Sequence, residues 1–236
     1  MTTYRGGLVP SLFFFTRDKI METTTLFEKY RPKSFDEVLG QDKAIQKVEL
    51  LLARGWGGRA WWISGASGTG KTTIGRIIAQ QGADDFYITE YDSADAMSVS
   101  EIDRLEQDMS YLAPGKGGRA YIINEAHGLR KTIIRRLLGL LERIPHHICI
   151  VFTTTKMGES SLFDDQIDAH PLLSRCAKIE LTNQGLAKVF GEHCLQIATK
   201  ENLNGKPLQS YIKLAQNCKN NCREMFMAIE SGDMLG

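Results

Sequence analysis

At 236 residues, with 42% hydrophobic and 24% charged side chains, the chain is long enough for one large domain and a small one, and its make-up excludes a disordered or fibrous protein. A formal net charge of +1 excludes a global field that gathers polyanions, though a local basic stripe remains compatible with nucleic acid. Five scattered cysteines exclude a dense disulfide framework and fit a reducing compartment, so a cytoplasmic location is expected.

Residues 1–25 read as a loosely attached extension. Their apolar run LVPSLFFF is broken by Pro10 and is too short to span a bilayer. Basic residues flank it on both sides and no small-residue cleavage site follows, which argues against a secretion signal. Met21, opening METTTLFEKYRP, reads as a natural start. Residues 42–53 then place Ile45, Val48, Leu51 and Leu52 on one helical face, and RGWGG stops that helix. AWWIS is a buried strand, GKTTIGRIIAQQ a helix, FYITEYD a second strand and residues 98–110 a helix. After the turn PGKGG come the strand RAYIIN and a helix over 131–143, with Ile133, Leu137, Leu140 and Leu141 inward and Pro145 ending it. HICIVFTTT and AKIEL are the fourth and fifth strands.

Strands alternating with helices predict an α/β fold with a parallel five-stranded sheet sandwiched by helices. Beyond Thr182 the strands stop. Helices over 184–200, 207–218 and 221–230 predict a small all-helical domain, giving an α/β domain over 26–182 and a helical domain over 183–236. Cys218 and Cys222 stand one helical turn apart, but with no second pair and no nearby histidine they do not predict a zinc site.

Two stretches carry chemistry. GASGTGKTT comprises Gly65, Ala66, Ser67, Gly68, Thr69, Gly70, Lys71, Thr72 and Thr73, and matches G-x-x-x-x-G-K-[ST] between a strand and a helix. Glycines let the backbone wrap a phosphate with its amide hydrogens inward, and the helix N-terminus adds its positive dipole end. Lys71 is expected to reach the β- and γ-phosphates of ATP, and the Thr72 hydroxyl to bind Mg2+. The second stretch is AYIINEAH, an apolar strand ending where an acidic pair is expected. Glu125 is in place to polarise an attacking water, but Asn124 precedes it; an amide can touch Mg2+ through a bound water yet brings no negative charge. Either hydrolysis is slow, or nucleotide is bound and barely turned over.

EKYRPKSFDEVLGQDKAI, GASGTGKTT, MSYLAPGKGGRAYIINEAH, LLGLLERIP, IVFTTT and HPLLSRC follow one another over residues 26–230. In this order they resemble the clamp-loader ATPases of the AAA+ superfamily, both the bacterial gamma/tau branch and the replication factor C small-subunit branch. The resemblance implies an ATP-hydrolysing subunit acting in DNA replication, with other loader subunits, a sliding clamp and primed duplex DNA as partners and no membrane. It implies that Tyr30, Arg31 and Pro32, with Val38, Leu39, Gly40 and Gln41, frame the adenine and ribose. It implies that Thr155, or its neighbour Thr154, senses the γ-phosphate, and that Arg175 acts in trans on a neighbouring subunit's ATP. Arg223 becomes the lid arginine, and its place in a helix's first turn, opposed by the dipole, favours a functional reason for it. Duplex DNA is expected to be tracked through its phosphates, with Arg130, Lys131, Arg135 and Arg136 as the candidate stripe.

Three departures from the family stand out. Asn124 replaces an acid. AQQGADD runs directly into FYITEYD with no cysteine-ligated zinc module between. The sequence stops at Gly236, before the family's helical collar, which leaves its mode of assembly open. Two other functions are compatible with the same residues: a non-hydrolysing structural subunit that lends Arg175 to a neighbour, or another AAA+ DNA motor such as a branch-migration ATPase, against which the SRC and YLAPGKGG elements argue.

Overall fold

The computed structural model describes residues 24–156 and 169–236, so nearly all of the expected N-terminal extension, with Met21, lies outside the described residues. Five strands, β1 (Arg59–Ser64), β2 (Ala83–Tyr91), β3 (Gly118–Ile123), β4 (Ile148–Thr154) and β5 (Cys176–Glu180), form one sheet in the order β2-β3-β4-β1-β5. Every pairing is parallel, with Trp61 opposite Val151 on one side and Ala177 on the other. The central strands read as near-continuous apolar runs because both faces of the sheet are covered.

Side chains alternate across each strand, so neighbouring tryptophans serve different cores. Trp61 and Ile63 join Ile122, Val151 and Ile179 beneath α2 (Asp42–Leu52) and α3 (Lys71–Gln80). Trp62 joins Tyr121, Ile123, Ile150 and Phe152 on the other face, beneath α4 (Val99–Asp108), α5 (Lys131–Leu141) and α6 (Ala169–Ser174). Gly75 lets α3 lie close on the sheet: a Cβ there would stand 3.1 Å from Val151 Cγ1. Ser98 starts α4 with a reciprocal capping box to Glu101.

A third core is built from α7 (Ala187–Lys200), α8 (Leu208–Asn217) and α9 (Cys222–Glu230) around Phe190, Tyr211, Met225, Phe226 and Ile229. The short α1 (Leu26–Lys29) belongs to this core, since Leu26 is buried in it and Phe27, Tyr30 and Leu39 pack against it. Polar ties add to the apolar ones. The Leu26 N–H donates to the Glu230 carboxylate, Lys29 pairs with Glu201 at 2.7 Å, and the Tyr30 hydroxyl donates to the same carboxylate at 2.5 Å. Cys218 caps the end of α8 and Cys222 opens α9, so the two do not share one helical face; the intervening Lys219 and Asn220 turn the chain at positive φ. At the passage from sheet to helices the Gln41 amide clamps Thr182, donating to its carbonyl at 2.8 Å and accepting from its N–H at 3.1 Å.

Candidate nucleotide site

β1 delivers the chain to the C-terminal edge of the sheet, where Gly65–Gly70 loop into α3. Gly68 and Gly70 hold φ of 75° and 94°, a region that side chains with a Cβ rarely enter. At Gly68 a Cβ would also stand 1.9 Å from Asn221 Oδ1, because the lid's turn into α9 rests directly on the loop. Lys71 is buried, its ammonium donating to the carbonyls of Gly65 (3.0 Å) and Ala66 (2.9 Å). Burial pushes its pKa below the ordinary lysine value; the Glu125 carboxylate works against that shift and Arg223 adds to it.

β3 and β4 end beside the loop. Asn124 is buried and its Oδ1 accepts from Thr72 Oγ1 (2.9 Å) and Thr153 Oγ1 (2.8 Å), while its Nδ2 donates to Glu90 Oε1 (2.9 Å). Glu125 adopts φ 50°, ψ 46°, a left-handed conformation that costs a residue with a side chain about 1–2 kcal/mol. This turns its half-exposed carboxylate toward the cleft, 3.2 Å from Thr155 Oγ1 and 3.4 Å from His127 Nδ1. Thr155 lines the cleft, whereas Thr154 is buried and engaged by His127 at 3.1 Å.

The cleft between sheet and lid has about 940 Å³ of open space. Ser67–Thr73, Glu125 and Thr155 form one wall; Tyr30, Arg31, Val38 and Leu39 form another; Arg223 reaches in from α9. The fold thus brings these expected residues to one place. Gly65, Ala66 and Asn124 stand just behind the surface, in contact through Lys71 and Thr72. The Thr72 hydroxyl and the Glu125 carboxylate line the cleft and are oxygen donors of the hard type that Mg2+ accepts.

Arg175 lies elsewhere. It immediately precedes β5, whose first residue, Cys176, is in register with Ala60 near the start of β1. The phosphate loop begins five residues beyond Ala60, about 16 Å along the strand at ~3.3 Å per residue. Arg175 instead pairs with Glu142 at 2.5 Å and donates to the Pro171 carbonyl at 2.8 Å.

Several cleft residues were not singled out by the sequence. The Phe27 ring carries the Arg31 guanidinium at 4.7 Å and that of Arg223 at 4.5 Å, contacts that tie the N-terminal segment to the lid. Phe190, Phe226 and His193 supply an apolar wall suited to a flat base, and burial lowers the His193 pKa below its ordinary value, with Lys200 adding to the effect. Glu37 and Cys222 complete the lining. No local motif marks Phe190, His193 and Phe226; only the helical period of α7 and α9, which puts them on the face turned inward, could have.

No family model matches the chain. It is 28% identical over 237 residues to DNA polymerase III subunit gamma of Buchnera aphidicola subsp. Baizongia pistaciae, covering 89% of this chain and 60% of that protein. It is 27% identical over 240 residues to DNA polymerase III subunit tau of Escherichia coli K12, covering 90% of this chain and 36% of that protein. The chain therefore spans under two thirds of the length of these curated relatives. Among solved structures, RuvB of Thermotoga maritima, a Holliday junction branch migration motor, superposes with a TM-score of 0.62 at 22% identity, covering 85% of this chain and 64% of that one. The chain is thus similar in sequence to the DNA polymerase III gamma and tau subunits over most of its length, and it shares its fold with RuvB.

Proposed function

We propose that the chain is an ATP-binding and slowly ATP-hydrolysing subunit of a DNA sliding-clamp loader, working with other loader subunits, a ring-shaped clamp and primed duplex DNA. The observation that carries the reading is the convergence of Lys71, Thr72, Glu125, Thr155 and Arg223 on one cleft beside a glycine-supported loop. The names of the sequence relatives supply the replication context.

In this reading the amides of Gly68–Thr72 cradle the phosphates, and Lys71 exchanges the carbonyls of Gly65 and Ala66 for phosphate oxygens. Bound Mg2+ supplies charge neutralisation of the β- and γ-oxygens. Thr72 has its proton committed to Asn124, so its oxygen lone pairs are left for the ion. Glu125 orients the attacking water, and Thr155, in contact with it, senses the γ-phosphate. Tyr30, Arg31, Val38 and Leu39, with Phe190 and Phe226, hold the base and ribose. Arg223 reports the nucleotide to the lid. Arg175, remote from its own cleft, serves the cleft of an adjoining subunit.

The DNA contact draws on the basic residues around the start of α5. Arg130 donates to the Met97 carbonyl at 2.6 Å and Arg136 pairs with Asp103, while Lys131 and Arg135 are exposed on the same helix, with Lys131 at its first position the member best placed to meet a phosphate. Among the described residues no helix is long and apolar enough to cross a membrane, and no group of three or more His, Cys, Asp or Glu could hold a metal. Asn124 favours a second reading, a subunit that binds ATP without turning it over and only lends Arg175. ATP hydrolysis measured with and without clamp and primed DNA separates the two: stimulated turnover supports the first, and binding with no turnover in either condition supports the second.

A further inference from the structure

Asn124 ends β3 with its side chain buried, and three other elements hold it. Thr72 of α3 and Thr153 of β4 both donate to Oδ1, at 2.9 and 2.8 Å, and Nδ2 donates to Glu90 Oε1 of β2 at 2.9 Å. The other oxygen of Glu90 accepts from Arg76 Nε of α3 at 2.6 Å. This arrangement decides which way the amide points. Reversing it would leave the two hydroxyls able to turn and accept, but it would set a carbonyl oxygen against a carboxylate oxygen, acceptor against acceptor. An aspartate at position 124 would meet the same obstacle with a full charge, since two carboxylates at hydrogen-bond distance cannot both ionise.

We propose that Glu90 is a positioning residue of the metal-nucleotide site: it supplies from the neighbouring strand the negative charge that position 124 lacks, and it locks the Asn124 oxygen toward Thr72. The inference rests on the nucleotide-site reading above. Its chemical content is a relay. Glu90 fixes the amide, the amide oxygen accepts a hydrogen bond from the Thr72 hydroxyl, and the Thr72 lone pairs are thereby turned outward to a divalent cation. Arg76, donating to the other Glu90 oxygen at 2.6 Å, holds the carboxylate in place. The acid stands on β2 and the amide at the end of β3, joined by one hydrogen bond.

The test is a four-cornered cycle of wild type, Glu90→Gln, Asn124→Asp and the double exchange Glu90→Gln/Asn124→Asp. Two affinities are read for each: ATP alone, and Mn2+ in the ATP complex by electron paramagnetic resonance. Glu90→Gln is expected to weaken Mn2+ about tenfold while leaving metal-free ATP binding unchanged. Asn124→Asp alone is expected to lose at least as much. The double exchange is expected to return within about threefold of wild type, because the amide introduced on β2 can donate to the new carboxylate, which still accepts from both threonines. Glu90→Ala provides the same metal-specific loss if glutamine disturbs the packing. Losses that simply add in the double variant, or a Glu90 variant that weakens metal-free and metal-bound nucleotide alike, would overturn the relay while leaving the nucleotide site standing. A wild-type chain that binds no ATP at all would overturn that reading, and the relay with it.

Discussion

The phosphate wall of the cleft is mostly one continuous stretch, Ser67–Thr73, hung on β1 inside the sheet and joined by Glu125 and Thr155, whereas the facing wall is gathered from Phe27–Leu39 and from residues 190–226. The first wall inherits its rigidity from Trp61, Ile63 and Ile74, all fully buried. The second is held by the small core of the lid and by a few polar ties, Glu230 to the Leu26 N–H and Glu201 to Lys29 and Tyr30. Between the walls, Gln41 clamps Thr182 and Asn221 rests on Gly68. In the proposed reading, a nucleotide that bridges both walls joins the loop to the helical domain.

Breaking each wall in turn separates these roles. On the stiff wall, Lys71→Ala is expected to abolish ATP binding, because it removes the cation the loop directs at the phosphates; a titration calorimetry signal near that of wild type would contradict the assignment. Arg175→Ala is expected to leave ATP binding intact and to cut hydrolysis in the assembled state by about 10³, the low end for an arginine acting across an interface. Steady-state ATPase of the assembly checks it. On the adjustable wall, Phe27→Ala removes the ring that both guanidiniums face. At about 0.5–1 kcal/mol per cation–π contact, nucleotide affinity should fall up to about thirtyfold, equally with and without metal.

The smallest effect is a pH dependence of the lid. Burial holds the His193 pKa below its ordinary 6.5, so the folded chain binds that proton less readily than the unfolded one. The stability His193 contributes is therefore fully present above pH 6.5 and is lost as pH falls through the folded value. Melting midpoints at pH 7.5 and 5.5, compared between wild type and His193→Phe, should differ less in the variant.

The same contrast governs how much was legible in the sequence. The sheet strands are short apolar runs bounded by turn residues, and the phosphate loop is a local pattern whose backbone requirement is written in its glycines, so both could be read from neighbouring residues. The walls of the lid could not. Phe27 stands beside Arg223 only because Leu26 is buried under α9, a contact across most of the chain. Glu90 touches Asn124 because β2 and β3 pair side by side, which no periodicity reveals. α6 carries Pro171 within its first turn, a position that helices tolerate but that reads locally as a break. Cys218 and Cys222 have the spacing of one helical turn, yet Lys219 and Asn220 reverse the chain between them at φ 50° and 59°.

The central claim is that the cleft is filled by its own nucleotide and completed by another subunit's arginine. It is tested most directly by mixing an Arg175→Ala chain with a Lys71→Ala chain, each inactive alone, after sedimentation shows that they assemble. Recovered ATPase activity is the expected result, because an intact cleft on the first chain meets an intact Arg175 on the second. Assembly without recovery at any ratio would contradict the claim, and so would an Arg175→Ala chain whose own ATP affinity falls as far as that of Lys71→Ala, since Arg175 would then belong to its own cleft.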